Sequence, residues 1–221
     1  MPASLTLETT ENQKWLRIAL YLSFITIFYN LLEGLFSIYF GTGDETLALL
    51  GFGVDSFVEV ISGIGIAHMV LRMQRTEVLE HDRFERQALR ITGTGFYLLT
   101  LGLVVGVIVQ IYQGNSPKST LPGIIISLIS ILSMYFLMAA KLKAGKKLGS
   151  EAIISDAHCT RTCLYLSVIL LVSSSLNELF SVPYVDLAGS LGIAWYAFSE
   201  GREAFEKVKA KKLACDCGHC E

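Results

Sequence analysis

The sequence predicts an all-α membrane protein: a bundle of six transmembrane helices with both termini cytoplasmic. Three observations predict it. Of the 221 residues, 52% are hydrophobic and 17% charged, with a mean hydropathy of +0.51, too apolar for a soluble domain of this length. Six stretches approach or exceed the ~20 apolar residues that a spanning helix needs. Basic residues collect in alternate connections, so the positive-inside rule puts both chain ends in the cytoplasm. The six stretches use most of the chain and leave no room for a soluble core domain.

Residues 1–14 form a polar, partly acidic N-terminal segment, without the basic start and small-residue cleavage site of a signal peptide. The first apolar stretch, Trp15–Phe40, is too long for a signal peptide and is expected to stay as a helix. Asn30 and Glu33 share one of its faces, as a relay, as an exit site for an ion, or as hydrogen-bonding caps of the bundle. Leu47–Leu71 forms the second helix. The charged connection Gln74–Gln87 suits a helical extension, and His81 and Asp82 read as solvated there. Ala88–Tyr112 is the third helix, where Gly102 and Gly106 allow close packing within the bundle or along a homodimer seam. Leu121–Ala140 is the fourth, with Ser127, Ser130 and Ser133 on one side. Neither the third nor the fourth carries a charge inside its apolar core, so both read as packing elements. Ala152–Phe180 is the fifth. Tyr184–Phe198 is the sixth; Asp186 opens it, where an acid suits the helix N-terminus. Residues 15–200 thus make the membrane domain and 201–221 a cytoplasmic tail. From Arg202 to Lys212 charges alternate around Phe205 and Val208, as in a helix lying on the inner membrane surface.

The topology rests on Lys14 and Arg17 at the start of the first helix and on Arg72, Arg75, Arg83, Arg86 and Arg90 around the second connection. Lys141, Lys143, Lys146 and Lys147 follow the fourth helix; Arg202, Lys207, Lys209, Lys211 and Lys212 follow the sixth. The other connections hold only Lys118. Such loops are the ordinary topological signal and give no reason to expect nucleic-acid binding. A cytoplasmic tail keeps its thiols reduced, which argues against a disulfide framework.

A charge in hydrocarbon costs several kcal/mol and tends to face a cavity or a partner. In the second helix, GFGVDSFVEVISG, Asp55 and Glu59 are four residues apart and share a face. In the fifth, ISDAHCTRTCLYLS, Asp156, Cys159, Thr160, Cys163 and Ser167 fall on one stripe, with His158 and Arg161 turned away. Cys159 and Cys163 can be ligands or small apolar packing residues. At 1.5 Å per residue both pairs lie ~10–18 Å into their helices, near the bilayer midplane. Two carboxylates and two thiols at one depth suit Zn²⁺, and thiolates argue against Mg²⁺ or Ca²⁺. In the tail, Cys215, Cys217, His219 and Cys220 form a second cluster suited to a soft metal, with no standard zinc-finger spacing.

At these residues the chain resembles the cation diffusion facilitators, six-helix transporters that move divalent metals, often zinc, in exchange for protons. Asp55-Ser-Phe-Val-Glu59 matches their second-helix D/H-xxx-D motif. SDAHCTRTC, Ser155 to Cys163, matches a fifth-helix pattern of the form ADAHHTRSD, with the two ligand positions on Cys159 and Cys163. NLLEG followed by ALLGFGVDSFVEVISG is similar to a short subclass that lacks the family's cytoplasmic metal-binding domain. The resemblance implies a non-enzymatic secondary transporter in the cell membrane, exporting Zn²⁺, or else Cd²⁺, Co²⁺ or Fe²⁺, by proton antiport. Asp55, Glu59, Cys159 and Cys163 are its expected ligands, Asp156 the next, and no prosthetic group is expected. The cysteines, in place of histidine and aspartate, bear on the choice of metal and on proton coupling. The rival readings are a non-transporting metal sensor or scaffold and a membrane thiol oxidoreductase; against the latter there is no C-x-x-C motif.

Overall fold

The computed structural model describes residues 3–43, 46–73, 81–113, 119–180 and 184–209. Six helices account for nearly all of them: α1 Ala3–Gly43, α2 Leu47–Met73, α3 His81–Gln113, α4 Leu121–Leu148, α5 Glu151–Phe180 and α6 Val185–Lys209. No strand occurs among the described residues. Consecutive helices alternate in direction. α1 packs most closely on α2, α4 on α5, and α3 on α6; α1 also meets α4, and α2 meets α5. The result is a four-helix core of α1, α2, α4 and α5, with the α3–α6 pair lying against α2 and α5.

The distribution of polarity is that of a membrane bundle. On α1 the polar stripe Ser23, Thr26, Asn30, Glu33 and Ser37 is buried, while Tyr21, Phe24, Phe28, Leu35 and Phe36 are exposed. A helix facing water would reverse this pattern. Five helices are long and apolar enough to cross a bilayer. α6 is not among these five: its apolar part, Val185 to Phe198, would reach ~21 Å at 1.5 Å per residue before Glu200, Arg202 and Glu203 begin. Exposed Lys14, Arg17, Arg90, Lys143, Lys146, Lys147 and Arg202 all lie toward the end of the bundle that holds the α4–α5 turn.

One expected helix end changes. α4 runs to Leu148, two turns beyond Ala140, so the lysines from Lys141 to Lys147 are helical. α6 continues unbroken past residue 200 to Lys209. Its end packs on α3: Ala204 and Val208 are buried, and the Phe205 ring stacks on Tyr97 at 5.4 Å. Asp186 stands in the first turn of α6, as expected, and serves a second helix as well. Its carboxylate accepts the backbone N–H of Leu47 at 2.9 Å and of Ala48 at 3.4 Å, capping α2. Two helix N-termini meet at that end, and the free N–H groups of α2 take the acid.

The α4–α5 hairpin positions the site. Gly149, at φ 58°, closes α4 in a left-handed cap, and the N–H of Ser150 returns to the Gly145 carbonyl at 3.0 Å. At Gly145 a Cβ would stand 2.7 Å from Ile154 Cγ1 and 3.0 Å from its backbone nitrogen, so a glycine is what lets the two helices touch there.

Candidate metal centre

α2 and α5 run antiparallel, and their polar residues meet in register: Asp55 opposite Cys163, Glu59 opposite Thr160, Ser62 opposite Asp156. The Cys163 thiol donates to Asp55 Oδ2 at 3.1 Å. The Thr160 hydroxyl donates to Glu59 Oε1 at 2.7 Å. Ser62 Oγ reaches Asp156 Oδ1 at 3.5 Å. All of these except Ser62 are buried, Asp55 at 1% exposure and Glu59 at 3%. The spacing of three to four on both α2 and α5 keeps each series on the facing side of its helix.

One participant comes from α4. Lys141, 1% exposed, donates to Asp156 Oδ2 and to Thr160 Oγ1, each at 2.8 Å. Its Nζ stands 3.8 Å from Glu59 Oε1. The expectation that Lys141 is a loop charge and α4 a packing element is thereby overturned. A signal was present: Met134, Leu137, Lys141, Ala144 and Gly145 share one buried stripe at helical spacing.

α1 borders the same region. Glu33 accepts from Tyr29 OH at 2.9 Å and from Ser56 Oγ of α2 at 3.0 Å. Asn30 Nδ2 donates to the Thr26 carbonyl at 2.9 Å. Ser130 of α4 and Ser167 of α5 join hydroxyls at 2.8 Å, which is what that serine stripe does here. Gly106 packs on Leu47, whereas nothing lies within 4 Å of a Cβ placed on Gly102.

Of the expected ligands, Asp55, Glu59, Cys163 and Asp156 enter one buried network. Cys159 is half-buried beside them, and Asp156 is engaged by Lys141. Among the described residues no three carboxylate, thiol or imidazole groups converge into a finished coordination sphere. Among the described residues five buried side-chain oxygens nevertheless have no hydrogen-bond partner: the hydroxyls of Ser37 and Ser174, and three pure acceptors, Asp55 Oδ1, Glu59 Oε2 and Asn30 Oδ1. Buried acceptors without donors are costly unless something positive meets them, and a chain of this polarity supplies a divalent cation's preferred ligand types, oxygen and sulfur. Cys215, Cys217, His219 and Cys220 lie outside the described residues.

Residues 18–209 match the family model of the cation efflux transmembrane domain. An uncharacterized transporter of Methanocaldococcus jannaschii is 25% identical over 174 residues, which is 77% of this chain. The chain spans 61% of that relative's length.

Proposed function

The chain belongs to the cation efflux family, and from that premise we propose that it is a secondary transporter exporting a divalent transition-metal cation, Zn²⁺ first, by exchange for protons. The observation that carries this reading is the pairing of α2 carboxylates with an α5 thiol in a buried place where Asp55 Oδ1 and Glu59 Oε2 have no donor. Asp55, Glu59 and Cys163 are the primary ligands in this reading, with Cys159 half a step away and able to join as α5 turns. Glu33 and Asn30 extend the polar path along α1.

Proton exchange follows from the ligand chemistry. The hydrogen of the Cys163 thiol lies toward Asp55. A cation that takes the sulfur must release that proton, since only the thiolate binds metal. A thiol and two carboxylates therefore couple cargo binding to proton release without a histidine in the set. The basic end of the bundle faces the cytoplasm in this account, so cargo enters by the α4–α5 end and leaves past Asp55, by alternating access about a midplane site.

Uptake of Zn²⁺, Cd²⁺, Co²⁺, Fe²⁺ and Mn²⁺ by purified protein in vesicles, with and without a pH gradient, tests the proposal. Saturable uptake driven by the gradient is expected for Zn²⁺ and Cd²⁺. Uptake equal to that of empty vesicles for every metal would refute it.

A further inference from the structure

Lys141 is the one cation that reaches the junction of α2 and α5 among the described residues, and the proposed transport does not use it. Its ammonium group has three hydrogens to give. One goes to Asp156 and one to Thr160, each at 2.8 Å, and Glu59 Oε1 lies 3.8 Å away. Thr160 passes the polarity on, accepting from Lys141 while donating to Glu59 at 2.7 Å. Lys143, Lys146 and Lys147 on the same helix are exposed. Lys141 lies less than two turns from Lys147, yet its side chain turns into the protein and buries its charge. Buried ions persist where partners hold them, and this one is held by the residue beside the proposed cargo ligand.

We propose that Lys141 is a tethered stand-in for the cargo: its single positive charge is shared between Asp156 and Glu59 when the site is empty, and the arriving divalent ion displaces it from Glu59, leaving it on Asp156 alone. The inference rests on the proposed transport reading and adds a residue to it. Lys141 offsets Asp156, so the divalent ion meets Asp55 and Glu59 at a formal charge of −2, to which the Cys163 thiolate adds one once its proton has left. An empty carrier with bare carboxylates would resist the return between its two open states, because uncompensated charge in the membrane is costly. The stand-in lowers that obstacle by one charge without leaving the protein.

Two readouts separate this role from a structural one. Cd²⁺ binding to detergent-purified protein, followed by cadmium–thiolate absorption, should tighten about tenfold in Lys141→Met, since a competing positive charge near the site is gone. In vesicles, Lys141→Met should keep metal-for-metal exchange, in which the carrier never returns empty, and lose most net uptake. Lys141→Arg keeps the charge and should stay close to wild type in both. A Lys141→Met protein that binds Cd²⁺ no more tightly, or that loses exchange and net uptake together, overturns the proposal. Should that variant fail to fold, Lys141→Met with Asp156→Asn removes both charges; exchange retained with net uptake lost supports the proposal, and equal loss overturns it. Wild-type protein that binds Cd²⁺ through Asp55 yet transports nothing would refute the transport reading, while the binding comparison still decides for or against displacement of Lys141.

Discussion

Two helix contacts in this bundle have opposite chemistry. Where α3 meets α6, Gly93 and Gly201 bring the backbones together: a Cβ on Gly201 would stand 3.1 Å from the Tyr97 ring and 3.3 Å from the Gly93 carbonyl. Tyr97 lies between Phe198 and Phe205, with ring centroids 5.7 and 5.4 Å away. Where α2 meets α5, the facing residues are Asp55, Glu59, Thr160, Cys163 and Asp156, joined by Lys141 of α4. The first contact gains from close packing, which in a lipid setting drives helix association. The second places several ionisable groups where each is expensive unless partnered or used. One contact is built for stability, and the other gives up stability for chemistry. Changes at the two should therefore separate folding from transport.

The largest effect is expected at the polar contact. Asp55→Ala and Glu59→Ala should each reduce vesicle transport to background while the yield of folded protein, judged by size-exclusion chromatography, changes little. Near-normal transport by both would erase the distinction between the two contacts. At the packing contact the opposite pattern is expected. Gly201→Val overfills the space against Tyr97 and should cost ~1–3 kcal/mol of stability, read as a lower midpoint for heat-induced loss of the monodisperse peak. Transport per folded molecule should hold. A selective loss of transport in Gly201→Val would mean that the α3–α6 pair moves with the cargo.

The cysteines sharpen the comparison within the polar contact. Cys163 is 4% exposed and bonded to Asp55, whereas Cys159 is half-buried. Cys163→Ala should weaken transport more than Cys159→Ala, because it removes both a proposed ligand and the donor to a buried carboxylate, a loss of ~1–3 kcal/mol by itself. Cys159→His combined with Cys163→Asp should keep transport and move preference from Cd²⁺ toward harder ions such as Mn²⁺. Competition between the two metals in one vesicle assay reads this out. Equal, wild-type behaviour of both alanine variants would make the cysteines packing residues.

A smaller effect belongs to Asp186→Ala. Loss of the carboxylate that caps α2 should lower stability by ~1 kcal/mol, again without a change in transport per folded molecule. The smallest belongs to the tail: deletion of residues 215–221 should leave maximal transport in place and alter it only at low metal concentration.

Much of this architecture is legible in the sequence because hydrocarbon imposes simple rules. Apolar runs of spanning length located all six helices, and acids inside them pointed to α2 and α5. The i, i+4 spacing of Asp55 with Glu59, and the stripe from Asp156 to Ser167, were enough to put those residues on facing sides. Lys141 was not legible by the same rules. It stands first in a group of four lysines just after an apolar run, where a basic residue ordinarily marks the cytoplasmic boundary. That α4 continues for two more turns depends on the α4–α5 hairpin, a tertiary feature, and the stripe through Met134, Leu137 and Ala144 gains meaning only once the helix is known to continue. The second role of Asp186 was hidden for a related reason. An acid in a helix's first turn has a local explanation, and the α2 N-terminus that it serves is more than 130 residues away in sequence.

The central claim is that oxygen and sulfur from α2 and α5 hold the cargo together. X-ray absorption at the cadmium edge, on purified protein lacking residues 215–221, tests it most directly. A shell of mixed oxygen and sulfur is predicted, with sulfur diminished in Cys163→Ser and the bound metal lost in Glu59→Ala. A shell of oxygen alone, or cadmium binding that survives both substitutions unchanged, would contradict the account.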